Sequence, residues 1–265
     1  MRNRLTDELA VCGMNAVLAV GEYHPQTINR LFLREDRLSS FTGICKQLAE
    51  RKRPYKICED EELERICKSV HHQGVVAMIE EPVVEPLSLE DLELWANEGK
   101  TGILLHSVGN DHNLGAIARA AAFFDVSFIV LNEKDTPLAG EDNQQEIRLT
   151  TSAYRIAEGG FEHLTVRRIS STKAFLKDAS KRLVTIGTDV RARQRISDLN
   201  GIVKGKKLKN SRPGIALVLG NEETGLPKEV KDQCSCILRV PGTGNIESLN
   251  VSQTAALFLH AIFEL

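Results

Sequence analysis

Five apolar runs after residue 100 constrain the fold of the chain more than any other feature. They are TGILLHSV from Thr101, VSFIVLN from Val126, RLVTIGTDV from Arg182, IALVLGN from Ile215 and CILRV from Cys236. Continuous apolar runs are typical of parallel strands that are buried on both faces. Helical spacing in LGAIARAAAFF and in NVSQTAALFLHAIFEL places helices around such a sheet. The sequence therefore predicts an α/β domain with a parallel sheet.

The first part of the chain predicts a second, smaller domain. NAVLAVGEYHPQTINRLFLRE indicates a helix, a turn and a strand, and FTGICKQLAERKRPYKICE indicates a helix and a short strand. DEELERICKSVHHQGVVAMIE indicates a helix, a His-Gly turn and an apolar strand. This alternation is typical of a small α/β domain. We therefore expect a domain over 1–80, a linker over 81–99 and the larger domain over 100–265.

The expected linker is acidic and contains two prolines, which favours an extended chain followed by a short helix. Ser88 is predicted to cap that helix, with Asp91 three residues further on. Trp95 is the only tryptophan of the chain, and we expect it to pack this helix.

Composition excludes some classes of protein. The net charge is −2 and the pI is about 6.4, which argues against wholesale coating of RNA or DNA. The six cysteines contain no C-x-x-C pair, which favours reduced thiols over a disulfide framework or a zinc site. The N-terminal MRNRLTDELAVCG has no long apolar region, and no apolar run approaches about 18 residues. We therefore expect no secretory signal, no membrane span and a cytoplasmic location.

Two smaller features each leave alternatives open. The most basic stretch, RARQRISDLNGIVKGKKLKNSR over 191–212, is either a solvated loop or a surface that contacts phosphates. His71 and His72 adjoin a turn in the first domain, and we expect them to have no metal role, with an RNA contact as the alternative.

Three of the predicted parallel strands are followed by polar loops that contain glycine. The loops are GNDHNLGAIAR, LGNEETGLP and VPGTGNIESLN. Ligands of parallel α/β sheets bind beyond the carboxyl ends of the strands. One such loop is commonly just a turn, but three together predict a single composite site.

Three observations argue against the interpretation of the last loop as a dinucleotide-binding motif. GTGNIE has Glu247 where G-x-G-x-x-G requires its third glycine. No further βαβ unit follows it in the sequence, and no acidic ribose-binding residue stands about 20 residues further on. We therefore disfavour a nicotinamide-dependent oxidoreductase and keep it as the third hypothesis.

The segments HNLGAIARAAAFF, LVLGNEETGLP and VPGTGNIESLNVSQTAAL, in that order, resemble the three motifs of the SpoU (TrmH) family of RNA ribose 2′-O-methyltransferases, in the SPOUT superfamily. CGMNAVLAV and HHQGVVAMI resemble the small RNA-binding domain that many members carry at their N-terminus. The resemblance implies a parallel sheet with a deep trefoil knot, S-adenosylmethionine bound in the knot, and a homodimer. It also implies an RNA substrate, with ribosomal RNA favoured and transfer RNA possible.

The resemblance also assigns roles to residues of this chain. Its catalytic set is Arg119, Asn113, Glu222, Ser248 and Asn250. The positions that contact the cofactor are Gly220, Val240 and Leu249. No metal is implied. Ser248 is alternatively the N-cap of the last helix.

Two catalytic roles are possible for the side chain of Arg119. The family pattern makes it the activator of the ribose 2′-hydroxyl, but a guanidinium stays protonated in proteins and is a poor general base. We favour a bidentate grip on the target phosphate, which also stabilises the developing alkoxide.

The sequence departs from the family pattern at three places, and these affect the substrate. Asn110 and Asp111 replace a common Asp-Pro, GTGN replaces a more apolar turn, and Gln253 replaces a small apolar residue. The alternatives to rRNA methylation are tRNA 2′-O-methylation and a non-catalytic RNA-binding or assembly protein.

Overall fold

A computed structural model describes residues 7–133, 149–205 and 213–265, which fall into two compact units. Unit 1 contains the described part of Met1–Val83 together with Leu149–His163. Unit 2 contains the described parts of Val84–Arg148 and Leu164–Leu265. None of the helices in the described ranges is long and apolar enough to cross a membrane.

Unit 1 is built on a four-stranded sheet. In chain order its first elements are β1 (Glu8–Cys12), α1 (Met14–Tyr23), β2 (Ile28–Leu33), α2 (Thr42–Glu50), β3 (Tyr55–Ile57), α3 (Asp60–Cys67) and β4 (Val75–Glu80). The strand order is β1-β4-β2-β3, and β4 runs antiparallel to both of its neighbours. The three predicted pairs of helix and strand are confirmed. Strand β1 was not predicted, because five residues directly before a helix give too short a pattern.

His72 lies in the turn before β4. Its ring is buried, and its Nδ1 accepts a hydrogen bond from the backbone N–H of Gly74 at 3.0 Å. The side chain therefore holds the turn that begins the strand.

The remaining elements continue in chain order. They are α4 (Leu89–Asn97), β5 (Thr101–Leu105), α5 (Asp111–Phe123), β6 (Phe128–Asn132), α6 (Thr151–Ala157), β7 (Thr165–Ile169), α7 (Thr172–Ala179), β8 (Val184–Thr188), β9 (Gln194–Arg195), α8 (Leu199–Gly205), β10 (Ile215–Leu219), α9 (Lys228–Lys231), β11 (Cys236–Arg239) and α10 (Val251–Phe263). Helix α6 belongs to unit 1 and the others to unit 2.

Unit 1 includes a segment from much later in the chain, 149–163, which the sequence places in the larger domain. Asn15 of α1 donates a hydrogen bond to Glu158 at 3.1 Å. A Cβ at Gly159 would lie 2.6 Å from the Cβ of Ala19, and φ there is +93°. A glycine is therefore required where this segment approaches α1. The sequence offers no signal for such a long-range contact.

Unit 2 confirms the predicted parallel sheet. Its strand order is β7-β6-β5-β10-β8-β11-β9, and every pair of neighbours is parallel. All five apolar runs form strands, and four of these strands are buried along most of their length. The unpredicted strands β7 and β9 are the edges, where half-exposed residues such as those of TVRRI lack an apolar pattern.

Helix α4 belongs to the core of unit 2. Ser88 and Asp91 form the predicted capping box, with both hydrogen bonds at 3.0 Å. Trp95 is fully buried, stacks on Phe128 with 5.2 Å between ring centroids, and donates to the carbonyl of Ile215 at 3.0 Å. The expected packing of Trp95 is confirmed, and its indole N–H has the partner that a buried donor requires.

Candidate active site

The polar loops lie near the point where the order in which the chain adds strands to the sheet reverses. From β5 the chain proceeds outward through β6 to β7, whereas β10, β8 and β11 lie on the other side of β5. The loops after β5, β10 and β11 all leave the carboxyl edge of one parallel sheet, which is the edge where ligands bind in such folds. We call them the first loop (106–110), the second loop (220–227) and the third loop (240–250).

The first loop leads into α5 and is held against its neighbouring strand. The backbone N–H of His106 donates to the carbonyl of Leu219 at 2.9 Å. Ser107 adopts a left-handed backbone with φ 56°. Asn110 caps α5 by accepting from the N–H of His112 at 2.8 Å. This cap fixes the first turn of α5, on which Asn113 lies.

The second loop is stabilised by its own atoms. Asn221 Oδ1 accepts from the backbone N–H groups of Glu223 and Thr224 at 2.9 and 3.1 Å. The carbonyl of Asn221 accepts from the N–H of Gly225 at 2.9 Å. Its Nδ2 donates to the carbonyl of Ser107 at 3.0 Å, which ties the second loop to the first. Asn221 is a positioning residue that the sequence did not single out, although an Asn before such a turn is typical of this bond pattern.

Gly220 begins this loop in a place that excludes any side chain. A Cβ there would lie 2.5 Å from the carbonyl carbon of Gly225 and 2.6 Å from the backbone nitrogen of Leu226. Both neighbours are backbone atoms, so the loop closes over position 220 only because it is glycine.

The third loop has the opposite character. All ten residues from 241 to 250 are exposed. Within the described ranges, no backbone N–H from Gly242 to Leu249 donates to a backbone carbonyl. A Cβ at Gly242 or Gly244 would meet no atom within 4 Å. The backbone N–H of Asn245 donates to Thr243 Oγ at 3.5 Å. The other backbone donors and acceptors of this loop are available to a ligand.

One chain of hydrogen bonds joins the three motifs. Asn113 is only 7% exposed, and its Nδ2 donates to Oε1 of Glu222. Its Oδ1 accepts from Nδ2 of Asn250 at 3.0 Å. The amide of Asn113 thus uses a donor toward the second motif and its acceptor toward the third. Three of the five predicted catalytic residues are brought together by these two bonds.

Asn250 is also the N-cap of α10, which corrects the expectation for Ser248. Asn250 Oδ1 accepts from the N–H and the Oγ of Ser252, both at 2.7 Å. The helix begins at Val251, so Ser248 lies outside the capping position. Ser248 is exposed in the third loop, and helix capping does not account for it.

The other predicted residues lie on α5, at the end of β11 and in the third loop. Arg119 is exposed on α5, six residues beyond Asn113, which places it about 9 Å further along the helix and on another face. Val240 is half-buried at the end of β11, and Leu249 is 47% exposed. Both offer apolar surface at the ends of the third loop.

A second polar network lies behind the first loop. Thr172 Oγ is 3.0 Å from His106 Nδ1 and accepts from Asn132 Nδ2 at 2.9 Å. Thr172 and Asn132 are buried. This network fixes the ends of β5 and β6 relative to α7. It was missed because the three residues are far apart in sequence.

Family models match both parts of the chain. The model of the SpoU rRNA Methylase family matches residues 100–260. The model described as RNA 2′-O ribose methyltransferase substrate binding matches residues 10–83.

Individual relatives agree with these matches. The chain is 29% identical over 196 residues to the putative TrmH family tRNA/rRNA methyltransferase YacO of Bacillus subtilis, covering 72% of this chain and 70% of the relative. It is 26% identical to the 23S rRNA (guanosine-2′-O-)-methyltransferase RlmB of Nitrosomonas europaea, covering 98% and 92%. The crystal structure of the SpoU methyltransferase AviRb from Streptomyces viridochromogenes, in complex with AdoMet, superposes with a TM-score of 0.71 at 18% identity, covering 99% and 93%.

Proposed function

As a member of the SpoU rRNA methylase family, the chain is an RNA ribose 2′-O-methyltransferase that uses S-adenosylmethionine, and we propose that it methylates ribosomal RNA through the site described above. The observation that carries this proposal is the chain of hydrogen bonds from Glu222 through Asn113 to Asn250. It organises one residue from each of the three motifs at the ligand-binding edge of the sheet.

The residues of the second and third loops fit the cofactor. Between Gly242 and Leu249, backbone groups that make no bond to another backbone group can bind the edge of an adenine, and Val240 and Leu249 can cover its faces. Gly220 keeps the second loop closed. When bound, S-adenosylmethionine supplies an electrophilic methyl group on a cationic sulfur.

The remaining polar residues prepare the ribose. Glu222 uses one carboxylate oxygen to accept from Asn113, and its other oxygen makes no hydrogen bond with a described residue. That oxygen is available to accept from the ribose 2′-hydroxyl and orient it. Ser248, exposed in the third loop, can donate to the same sugar.

Arg119 binds the phosphate of the target nucleotide and stabilises the negative charge that develops on the 2′-oxygen. A guanidinium remains charged and forms paired hydrogen bonds with phosphate oxygens. Its exposed position on α5 suits contact with a large substrate. This role needs no proton transfer to the guanidinium.

Ribosomal RNA is the favoured substrate for two reasons. The family model that matches residues 100–260 is that of the SpoU rRNA Methylase family, and RlmB acts on 23S rRNA by its name. Transfer RNA is the second candidate, because the name of YacO includes both RNAs. A non-catalytic RNA-binding protein is disfavoured by the assembled Glu222–Asn113–Asn250 chain.

A trefoil knot and a homodimer complete the proposal. The strand order, in which β10 lies between β5 and β8, supports a knotted path, and a knot would shorten the contour length released on mechanical unfolding. Helices α5 and α10 carry exposed apolar side chains, including Phe123 at 80% and Phe263 at 54%, which supports a dimer through this face. A monomeric mass in equilibrium sedimentation would contradict the dimer.

We also propose that the protein works in the cytoplasm. All six cysteines are free thiols, which supports a reducing compartment. Fractionation of cells that express a tagged protein would test this location.

The decisive experiment is transfer of a labelled methyl group from S-adenosylmethionine to RNA from cells that lack the gene. The RNA is digested to nucleosides, and wild type is compared with Arg119→Ala, Arg119→Lys and the surface control Arg182→Ala. We expect label in a 2′-O-methylnucleoside of rRNA and a loss of about 100-fold or more in Arg119→Ala. Arg119→Lys should retain part of the rate with an unchanged pH profile. Label in tRNA alone, or on a base, would contradict the proposal.

A further inference from the structure

Four arginines lie either at the last position of β11, directly before the third loop, or in the segment 191–195, whose strand β9 pairs with β11. We call Arg191, Arg193, Arg195 and Arg239 the arginine cluster. The first three are exposed and Arg239 is half-buried. Arg191, Arg193 and Arg195 belong to the basic stretch over 191–212. Residues 206–212 of that stretch lie outside the described residues. The family motifs include none of these four positions.

The turn that carries Arg191 is fixed to β11. Asp189 accepts from Lys231 Nζ at 2.6 Å and from the backbone N–H of Arg191 at 2.7 Å. The backbone N–H of Asp189 donates to the carbonyl of Leu238 at 3.1 Å. Burial raises the pKa of Asp189, but the hydrogen bonds from Lys231 and Arg191 outweigh burial and lower it. The carboxylate therefore stays charged and is already paired with Lys231.

The sheet register places two of these arginines side by side. Strand β9 pairs in parallel with β11, with Arg195 opposite Arg239. Neighbouring strands lie about 4.8 Å apart, and paired positions point to the same face of a sheet. Like charges in such a pair repel each other. An anion bound between the two guanidinium groups would remove this repulsion.

Carboxylates compensate the cluster poorly. Arg191 lies 3.9 Å from Glu247, and both side chains are at least 80% exposed, so this pair is weak. The carboxylate of Asp198 accepts from the backbone N–H of Arg195 at 2.8 Å. Within the described part of the chain, Arg193, Arg195 and Arg239 form no side-chain ion pair with a carboxylate. The positive charge of the cluster is therefore available to a ligand.

We propose that the arginine cluster binds backbone phosphates of the RNA strand that carries the target ribose. The inference rests on the proposed function, because the methyl acceptor must come to the third loop and the cluster adjoins that loop. A group of four arginines matches a row of phosphates better than it matches a single small anion. Phosphate contacts fix the position of a strand without reading its bases. The cluster thus positions the target ribose beside Ser248 and Glu222.

The test measures the salt dependence of RNA binding. A labelled 23S rRNA transcript is bound on filters at graded KCl concentrations, and S-adenosylmethionine affinity is measured in parallel. The variants are Arg193→Gln, Arg195→Gln, the triple variant R193Q/R195Q/R239Q, and Arg193→Lys. The control is Arg182→Gln, because Arg182 is a partly exposed arginine of unit 2 that lies 3.7 Å from Glu93. We expect the slope of log Kd against log [KCl] to fall by about one for each arginine removed, and by about three in the triple variant.

The outcomes separate this inference from the proposed function. Arg193→Lys should keep the wild-type slope because it keeps the charge, and cofactor affinity should be unchanged in all variants. A triple variant that binds RNA as Arg182→Gln does would overturn the inference, even if the wild type methylates RNA. Loss of cofactor affinity in the triple variant would also overturn it, by showing that the cluster supports the loop. If the variants show the expected change of slope but the wild type transfers no methyl group, only the proposed function is contradicted.

Discussion

The second and third loops leave the same edge of one sheet, yet they are built in opposite ways. The second loop is closed by bonds of Asn221 to its own backbone and by contact of that backbone with Gly220. Among the described residues, the third loop makes no backbone-to-backbone hydrogen bonds from Gly242 to Leu249, and its residues 241–250 are exposed. One loop has its shape before any ligand binds, and the other has free polar groups.

Because of this difference, we expect the two loops to have different roles in ligand binding, although both are polar and contain glycine. A loop that is already ordered loses little conformational entropy when a ligand binds, so it suits a fixed wall of the site. A loop with unpaired backbone groups can adapt those groups to a ligand, at the cost of becoming ordered. The third loop remains anchored at its end, because Asn250 both caps α10 and bonds to Asn113.

The largest effect is expected from placing a methyl group at the second loop. Gly220→Ala brings a Cβ within 2.5 Å of the backbone of Gly225, so the loop must open. We expect it to lower the free energy of unfolding by about 3 kcal/mol and to abolish measurable cofactor binding. Chemical denaturation and calorimetric titration of S-adenosylmethionine measure these two quantities.

Gly242→Ala is the matched control in the third loop. A Cβ there meets no atom within 4 Å, so we expect a change in unfolding free energy within about 0.5 kcal/mol. Equal destabilisation by the two substitutions would show that the second loop is not the more constrained of the two.

The location of the site was predictable, but its internal connections were not. Apolar runs followed by polar glycine loops indicate the carboxyl edge of a parallel sheet, and the three motifs identify the family. The contact of Asn113 with both Glu222 and Asn250 joins residues more than 100 positions apart, and no local pattern encodes it. The N-cap of α10 was misplaced at Ser248 because Ser and Asn are both good caps two positions apart.

Parts of the fold also could not be predicted from the sequence. Strand β9 has only two residues and is held by its register with β11 rather than by an apolar pattern. The contact of 149–163 with α1 depends on the fit of Gly159 against Ala19. Such features depend on tertiary neighbours that a single sequence does not name.

An intermediate effect is expected from breaking the link between the loops. Asn113→Ala removes the buried amide that bonds to Glu222 and Asn250, and we expect the unfolding free energy to fall by about 2 kcal/mol. The methylation rate should fall by more than the loss of cofactor affinity explains, because Glu222 is no longer oriented. The matched control is Asn200→Ala on the exposed surface of α8. A full methylation rate in Asn113→Ala would mean that the hydrogen-bond chain is not part of the site.

The smallest effect on stability is expected within the third loop, where Asn250 holds the loop to α10 and Ser248 is proposed to contact the substrate. Asn250→Ala removes the cap of α10 and should cost about 1 kcal/mol of unfolding free energy, whereas Ser248→Ala should leave it unchanged. In an Asn113→Ala background, Asn250→Ala should cost less, because the bond between the two amides is already absent. If Ser248 contacts the substrate, Ser248→Ala lowers the methylation rate at unchanged stability. Destabilisation by Ser248→Ala equal to that by Asn250→Ala would instead make the third loop a structured element like the second.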